Sequence, residues 1–212
     1  MTDCCDPEDY RSVFSGRFAR RRSRRYRKRG LTPVATRLLD FAAEGIEGAS
    51  VLEIGGGVGE LQVELLKRGA ARVTNLEISA GYEDEAARLL ERSGLSGRVT
   101  RRILDIALAP DEVEPADVVV LHRVVCCYPD YQRLLTTAAA HAGRRLVFSH
   151  PADNLLTRAM FGGENLYRKI SRNSFRAFIH PPDAMVAAAE SQGLVTTYRP
   201  RSRDWEVVGL VR

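Results

Sequence analysis

From Val51 onward the chain alternates short apolar, β-branched runs with stretches in which apolar residues recur every three to four positions. Runs at Val51–Ile54, Arg72–Glu77, Val99–Leu104, Asp117–His122 and Arg145–Ser149 predict strands. Leu61–Arg68, Tyr82–Ser93 and Tyr131–Ala142 predict the helices between them. A parallel strand pair needs a crossover long enough to hold a helix, so this alternation implies a parallel sheet with helices on both faces. The end of the chain departs from that rhythm. After a predicted helix over Pro182–Gln192, "LVTTYR" and "WEVVGLVR" read as two strands joined by a loop alone. The expected architecture is therefore an α/β fold on a mostly parallel seven-stranded sheet, closed by an antiparallel C-terminal strand pair.

Upstream, "LTPVATRLLDFAAEGI" offers Thr32 as an N-cap and Pro33 at the first helical position, and it predicts a helix packed on the core. Between Asp9 and Gly30, Tyr10, Phe14 and Phe18 recur at four-residue spacing, one stripe of an amphipathic helix. The other side of that helix holds eight positive charges within Arg20–Arg29, interrupted only by Ser23 and Tyr26. A second interruption falls at residues 151–180, just after a predicted strand end, where open α/β folds bind ligands. There Met160, Phe161, Tyr167 and Phe178 stand among Arg158, Arg168, Lys169, Arg172 and Arg176, a composition suited to a planar or apolar ligand with acid groups. The expected division is an arm or cap over residues 1–30 and a main domain over 31–212, with a substrate-binding insertion at about 151–180.

The 212 residues suit one main domain, and 44% hydrophobic content fills a single core of that size. Removing the eight charges of Arg20–Arg29 from the net charge of +5 leaves −3, so the basicity is local to the arm. The arm then reads in one of three ways: a grip on nucleic acid, a tether to a membrane surface, or part of a site for an anionic small molecule. No apolar stretch approaches the ~20 residues needed to span a bilayer, and "MTDCCDPEDY" lacks the apolar region of a signal peptide. A soluble, cytoplasmic protein is expected, and no signal of oligomeric state is visible. The four cysteines form two adjacent pairs, Cys4-Cys5 and Cys126-Cys127, without the spacing of a disulfide framework or a structural zinc site. Buried reduced thiols and no metal are expected, with soft ligation of zinc or arsenic as the alternative if the pairs meet.

In "VLEIGGGVGEL" a strand ends at Ile54, and Gly55, Gly57 and Gly59 then fall at every second position before a helix. Glycines permit positive φ and let backbone approach a ligand where a Cβ would intrude. A dinucleotide loop of spacing G-x-G-x-x-G would need glycine at position 60, which is Glu60. With Glu53 the pattern is E-x-G-x-G-x-G. It resembles motif I of class I S-adenosylmethionine-dependent methyltransferases, and the resemblance extends over roughly Val51 to Arg212. "VTNLEIS" ends its strand at Glu77, where that superfamily places the carboxylate that accepts both ribose hydroxyls. "RRILDIA" puts Asp105, with Ile106 beside it, where an acid accepts the adenine amino group. The resemblance implies a Rossmann-like fold, S-adenosyl-L-methionine as cofactor, and Glu53, Gly55, Gly57, Gly59, Glu77, Asp105 and Ile106 as its binding residues.

Within that superfamily the chain looks most like the magnesium-protoporphyrin O-methyltransferases. These have a hydrophobic-His-Tyr-Pro tract where Cys126-Cys127-Tyr128-Pro129 stands, and an Arg-aromatic-aliphatic-His tract close to Arg176-Ala177-Phe178-Ile179-His180. Cys127 replaces the tract's histidine, so the transferase class is carried over and the porphyrin is not. Methyl transfer is an in-line displacement governed by alignment, with a base needed only for a protonated acceptor. Candidate catalytic residues are His150 and His180, which bracket the insertion, then His122 and Tyr128. Arg176, Tyr26 and Phe18 are candidate substrate contacts. The Pro-Cys and Asn/Asp-Pro-Pro-aromatic tracts of nucleic-acid methyltransferases are missing, and the first reading is a small-molecule O- or N-methyltransferase acting on an acidic or aromatic acceptor. A nucleic-acid methyltransferase whose arginines bind phosphates is the second. On the first reading residues up to about Gly30 cap the pocket, and because the glycine loop lies wholly after Val51, deleting residues 1–30 is expected to spare the cofactor and abolish turnover.

Overall fold

The computed structural model describes Tyr10 and residues 12–212, so the Cys4-Cys5 pair lies outside the described residues. One sheet holds β1 (Ser50–Ile54), β2 (Arg72–Glu77), β3 (Val99–Ile103), β4 (Ala116–His122), β5 (Ala142–Pro151), β6 (Val195–Tyr198) and β7 (Trp205–Val211). Their order is β3-β2-β1-β4-β5-β7-β6. Strands β1 to β5 run parallel, whereas β7 pairs antiparallel with both β5 and β6. The chain therefore winds outward from β1 in both directions. This leaves a crevice beyond the carboxyl ends of β1 and β4, the place where such sheets bind ligands.

Period-two alternation sorts the strand residues between two apolar layers. Val51, Val73, Val118, Val120, Val147 and Val207 face α2 (Pro33–Ala42) and α3 (Glu60–Lys67). Leu52, Ile54, Leu76, Val119, Leu121, Leu146 and Phe148 face α5 (Tyr131–Ala140) and α7 (Pro182–Glu190). Each fully buried side chain of this kind contributes about 1.5–3 kcal/mol before entropy is counted. Thr32 caps α2 as its sequence predicts, accepting the Ala35 N–H at 3.3 Å, with Pro33 next. Helix α4 (Glu83–Arg92) covers the sheet edge near β3, where Glu83 pairs with Arg101 at 2.7 Å.

The aromatic stripe is present, but its helix is not continuous. Backbone at Ser15 is extended, φ −80° and ψ 166°, and α1 (Gly16–Arg29) starts after it. The rings of Tyr10, Phe14 and Phe18 still follow one another, with centroids 4.5 and 5.9 Å apart. Helix α1 lies on the molecule rather than projecting from it: Ala19 is buried against Val58 and Tyr82, Arg22 pairs with Glu60 at 2.6 Å, and the Tyr26 hydroxyl donates to Glu64. The insertion contains a helix that the sequence pattern does not announce, α6 (Leu155–Ile170), capped by Asn154 accepting the Thr157 N–H at 3.0 Å. No helix among the described residues is long and apolar enough to cross a membrane.

Candidate active site

The turn from β1 into α3 is threaded between two neighbouring elements. A Cβ on Gly55, whose φ is 68°, would stand 2.5 Å from Val124 Cγ2. A Cβ on Gly56 would stand 2.2 Å from Asn75 Oδ1 and 2.4 Å from Glu53 Oε2. Gly57 and Gly59 also adopt positive φ, 57° and 87°. Backbone alone fits here, and it forms one wall of a cavity of about 560 Å³, counting space open to solvent, that is also lined by Glu77, Asp105, Ile106, Tyr82 and Tyr128.

Three acids lie around the loop, each in different surroundings. Glu77 accepts the backbone N–H groups of Gly57 at 3.0 Å, Ile78 at 2.9 Å and Ser79 at 3.2 Å. Burial raises its pKa, and these donors oppose the rise. Asp105 accepts the Ala107 N–H through Oδ1 and the Tyr128 hydroxyl through Oδ2, both at 2.9 Å. Glu53 is 2% exposed, its Oε2 has no partner, and burial pushes its carboxyl up to about 7. A buried, unpartnered carboxylate oxygen beside a loop stripped of side chains suits a cationic ligand group.

A second, larger cavity, about 1,010 Å³ on the same measure, opens alongside and shares Phe14, Gly55, Tyr82, Arg123 and Cys127 with the first. Its apolar surface comes from Phe18, Phe161, Phe175 and Trp205. Phe14, in the segment before α1, stacks edge-on against both Phe18 of α1 and Phe175 of the insertion and so bridges the two at the cavity wall. His122 faces this cavity, with Nδ1 2.9 Å from Ser149 Oγ and Nε2 unpartnered. Burial, and then the charges of Arg22 and Arg123, hold its pKa well below the usual value, so the ring is neutral at neutral pH. Cys126 and Cys127 also face the cavity with sulfurs 3.7 Å apart, and the hydrogen bond the two thiols share, together with burial, pushes the Cys127 thiol up. Among the described residues no three His, Cys, Asp or Glu side chains form a metal-sized group.

The remaining sequence candidates divide. Phe18 and Tyr128 line the cavities; His150, His180, Arg176 and Tyr26 line neither. His150 follows Ser149 in β5 and so points to the opposite face, where Nδ1 meets the Pro151 carbonyl at 2.9 Å and Nε2 lies 3.8 Å from Glu206. His180 bonds the Tyr128 carbonyl at 2.9 Å and stacks on Phe178, fastening the insertion to the β4 exit. Arg176 donates to the carbonyls of Asn173 at 2.6 Å and Phe175 at 2.8 Å, closing its own turn. Tyr26 is spent on Glu64 of α3. Tyr10 and Phe14 prove to line the first cavity, so the N-terminal segment is part of the expected cofactor's surroundings as well as the acceptor's. Arg123, Tyr82, Phe175 and Trp205 are lining residues without any motif; their signal lies in folded geometry.

A family model described as methyltransferase domain matches residues 18–197. No curated protein matches the chain. Among solved structures, magnesium protoporphyrin IX methyltransferase from Synechocystis PCC 6803, with bound SAH, superposes with a TM-score of 0.68 at 21% identity, covering 84% of this chain and 81% of that one. An O-methyltransferase family 2 protein from Planctomyces limnophilus, in complex with apigenin, gives 0.65 at 19% identity over 92% and 61%. A putative RNA methyltransferase from Pyrococcus horikoshii gives 0.58 at 18% identity over 85% and 86%. At these identities the superpositions establish a shared fold.

Proposed function

We propose, on the premise that the chain belongs to the methyltransferase domain family, that it methylates an oxygen or nitrogen of a small acidic or aromatic molecule. The methyl donor is S-adenosyl-L-methionine, whose sulfonium supplies an activated methyl group. The observation behind the acceptor class is the larger cavity: aromatic side chains from α1, the insertion and β7 enclose it beside the cofactor cavity, and arginines stand among them.

In this reading Glu77 accepts the ribose hydroxyls, Asp105 accepts the adenine amino group while Tyr128 holds its other oxygen, and Ile106 packs against the base. Glu53 provides a carboxylate for the cofactor's ammonium group. His122 is the base for an acceptor that must lose a proton: with Nδ1 donating to Ser149, Nε2 faces the cavity as a free acceptor. Wall residues from α1 and the insertion exclude water and align the reacting groups, which is the larger part of the task. The groove along α1, lined by Arg21, Arg22, Arg24, Arg25, Lys28 and Arg29, favours a second reading in which the methyl acceptor is RNA or DNA.

Removing a charge-assisted hydrogen-bond pair typically costs about 1.5–3 kcal/mol, so Glu77→Ala should weaken S-adenosylmethionine binding about tenfold or more. Calorimetry on the folded variant checks this, and unchanged affinity removes Glu77 from the site. Glu53 gives a pH signature. With its carboxyl raised to about 7, the free protein is protonated there below pH 7 and must lose that proton to meet an ammonium. S-adenosylhomocysteine affinity is therefore expected to fall on the order of tenfold from pH 7.5 to pH 5.5. Glu53→Gln should flatten that profile, and a slope that persists in the variant belongs to another group.

A further inference from the structure

Arg123 stands where three hollows meet: it lines the cofactor cavity, the acceptor cavity and the basic groove of α1. It follows the last residue of β4 in left-handed backbone conformation, φ 61°, which non-glycine residues keep only when their surroundings hold them there. The holding contacts are visible. Its N–H donates to Ser149 Oγ at 3.0 Å, its carbonyl accepts from the thiols of Cys126 and Cys127, and its guanidinium lies 4.6 Å above the centre of the Trp205 ring.

What the guanidinium lacks is an anion. Its Nε is buried without a partner, and among the described residues no ion pair includes it. The other arginines facing the acceptor cavity are matched, Arg22 with Glu60 and Arg168 with Glu164. Glu53, the remaining acid on that wall, keeps an unpartnered oxygen of its own. Burial and the nearby positive charge of Arg22 both lower the pKa of Arg123, the mark of a cation in an unfavourable place. Arginine does not escape by losing its proton. An uncompensated, half-buried guanidinium lowers stability, and a ligand that supplies the missing charge reverses the penalty.

We infer that Arg123 is the anion receptor of the acceptor cavity and binds a carboxylate on an aromatic acceptor whose ring lies among Phe14, Phe18 and Phe175. Among the described residues of the acceptor cavity Arg123 is the one arginine without an acid partner, and that single charge fits a carboxylate better than the −1.5 to −2 of a phosphate monoester. Naming this ligand as the methyl acceptor rests on the methyltransferase reading; the anion site itself does not.

Trp205 is the chain's single tryptophan and lies against Arg123, so its fluorescence reports this site directly. Full-length protein, with and without S-adenosylhomocysteine, is titrated with benzoate, benzamide and phenyl phosphate. Benzoate is expected to bind at least tenfold more tightly than benzamide and no more weakly than phenyl phosphate. Arg123→Gln should erase the preference for benzoate over benzamide and Arg123→Lys should keep part of it. Ligand-free Arg123→Gln should unfold at the wild-type temperature or above, because it discards an unmatched charge. The inference is overturned if the wild type shows no preference for benzoate, if that preference survives Arg123→Gln, or if phenyl phosphate binds tenfold more tightly than benzoate. A fall of several degrees in the unfolding temperature with selectivity intact would mark Arg123 as structural. Loss of S-adenosylhomocysteine binding alone counts against the cofactor assignment and leaves the anion comparison standing.

Discussion

Gly56→Val is expected to weaken S-adenosylmethionine binding at least a hundredfold, about 2.8 kcal/mol, the largest effect of any single change in the cofactor loop. Even one added carbon at this position would lie 2.2 Å from Asn75 Oδ1 and 2.4 Å from Glu53 Oε2. Neither neighbour has room to yield: Asn75 is fully buried and accepts the Gly56 N–H at 3.1 Å, and Glu53 is buried beneath the loop. The loop must therefore move outward, into the space between the two cavities and away from the geometry that aims its N–H groups. Gly97→Ala is the control, since a Cβ there meets nothing within 4 Å. Calorimetric titration of both variants, with circular dichroism to confirm folding, is the measurement. Wild-type affinity in a folded Gly56→Val protein would show that the loop is not the binding element.

Deleting residues 1–30 is expected to reduce turnover by at least a hundredfold and, unlike the expectation drawn from sequence, to weaken cofactor binding as well, by about tenfold. Tyr10 and Phe14 form part of the wall of the cavity proposed for the cofactor, and Phe14 and Phe18 part of the one proposed for the acceptor. Their loss wets both ligands and removes the surface that aligns them. The contact can also be broken in place. A Cβ on Gly81 would fall 2.4 Å from the Phe14 carbonyl oxygen, so Gly81→Val should lift the segment off the Ala80–Tyr82 turn and reproduce the loss of turnover without shortening the chain. Single-turnover kinetics with paired calorimetry separate the two effects. A truncated protein with normal turnover would mean that the aromatic stripe is packing alone.

The sheet was legible because its signals are local: alternation along each strand, one helix per crossover, and a glycine run that permits a single kind of turn. The stripe of Tyr10, Phe14 and Phe18 was also legible, although a break at Ser15 interrupts the helix that its spacing implies. Helix α6 was hidden. Its apolar residues Leu155, Met160, Leu166, Tyr167 and Ile170 are exposed, and Gly162-Gly163 interrupts helix propensity, so no buried face set a period. The four histidines show the limit most clearly. His122 lies at the end of β4 and His150 near the end of β5, and only the parity of each strand decides that the first faces the cavity and the second faces Glu206. Arg123 had no motif at all, for its distinction is a backbone angle and a missing partner, and neither is written in residue order.

The measurement that bears most directly on the proposed reaction is a labelling experiment with methyl-deuterated S-adenosylmethionine, purified protein, and a cell extract divided into small-molecule and nucleic-acid fractions. Mass spectrometry then follows where the deuterated methyl group goes. The expected result is one labelled product in the small-molecule fraction, acidic or aromatic in character, absent when Gly56→Val protein replaces the wild type. Label confined to RNA or DNA, or lost there when Arg20–Arg29 are replaced, would contradict it and make the basic groove of α1 the acceptor site.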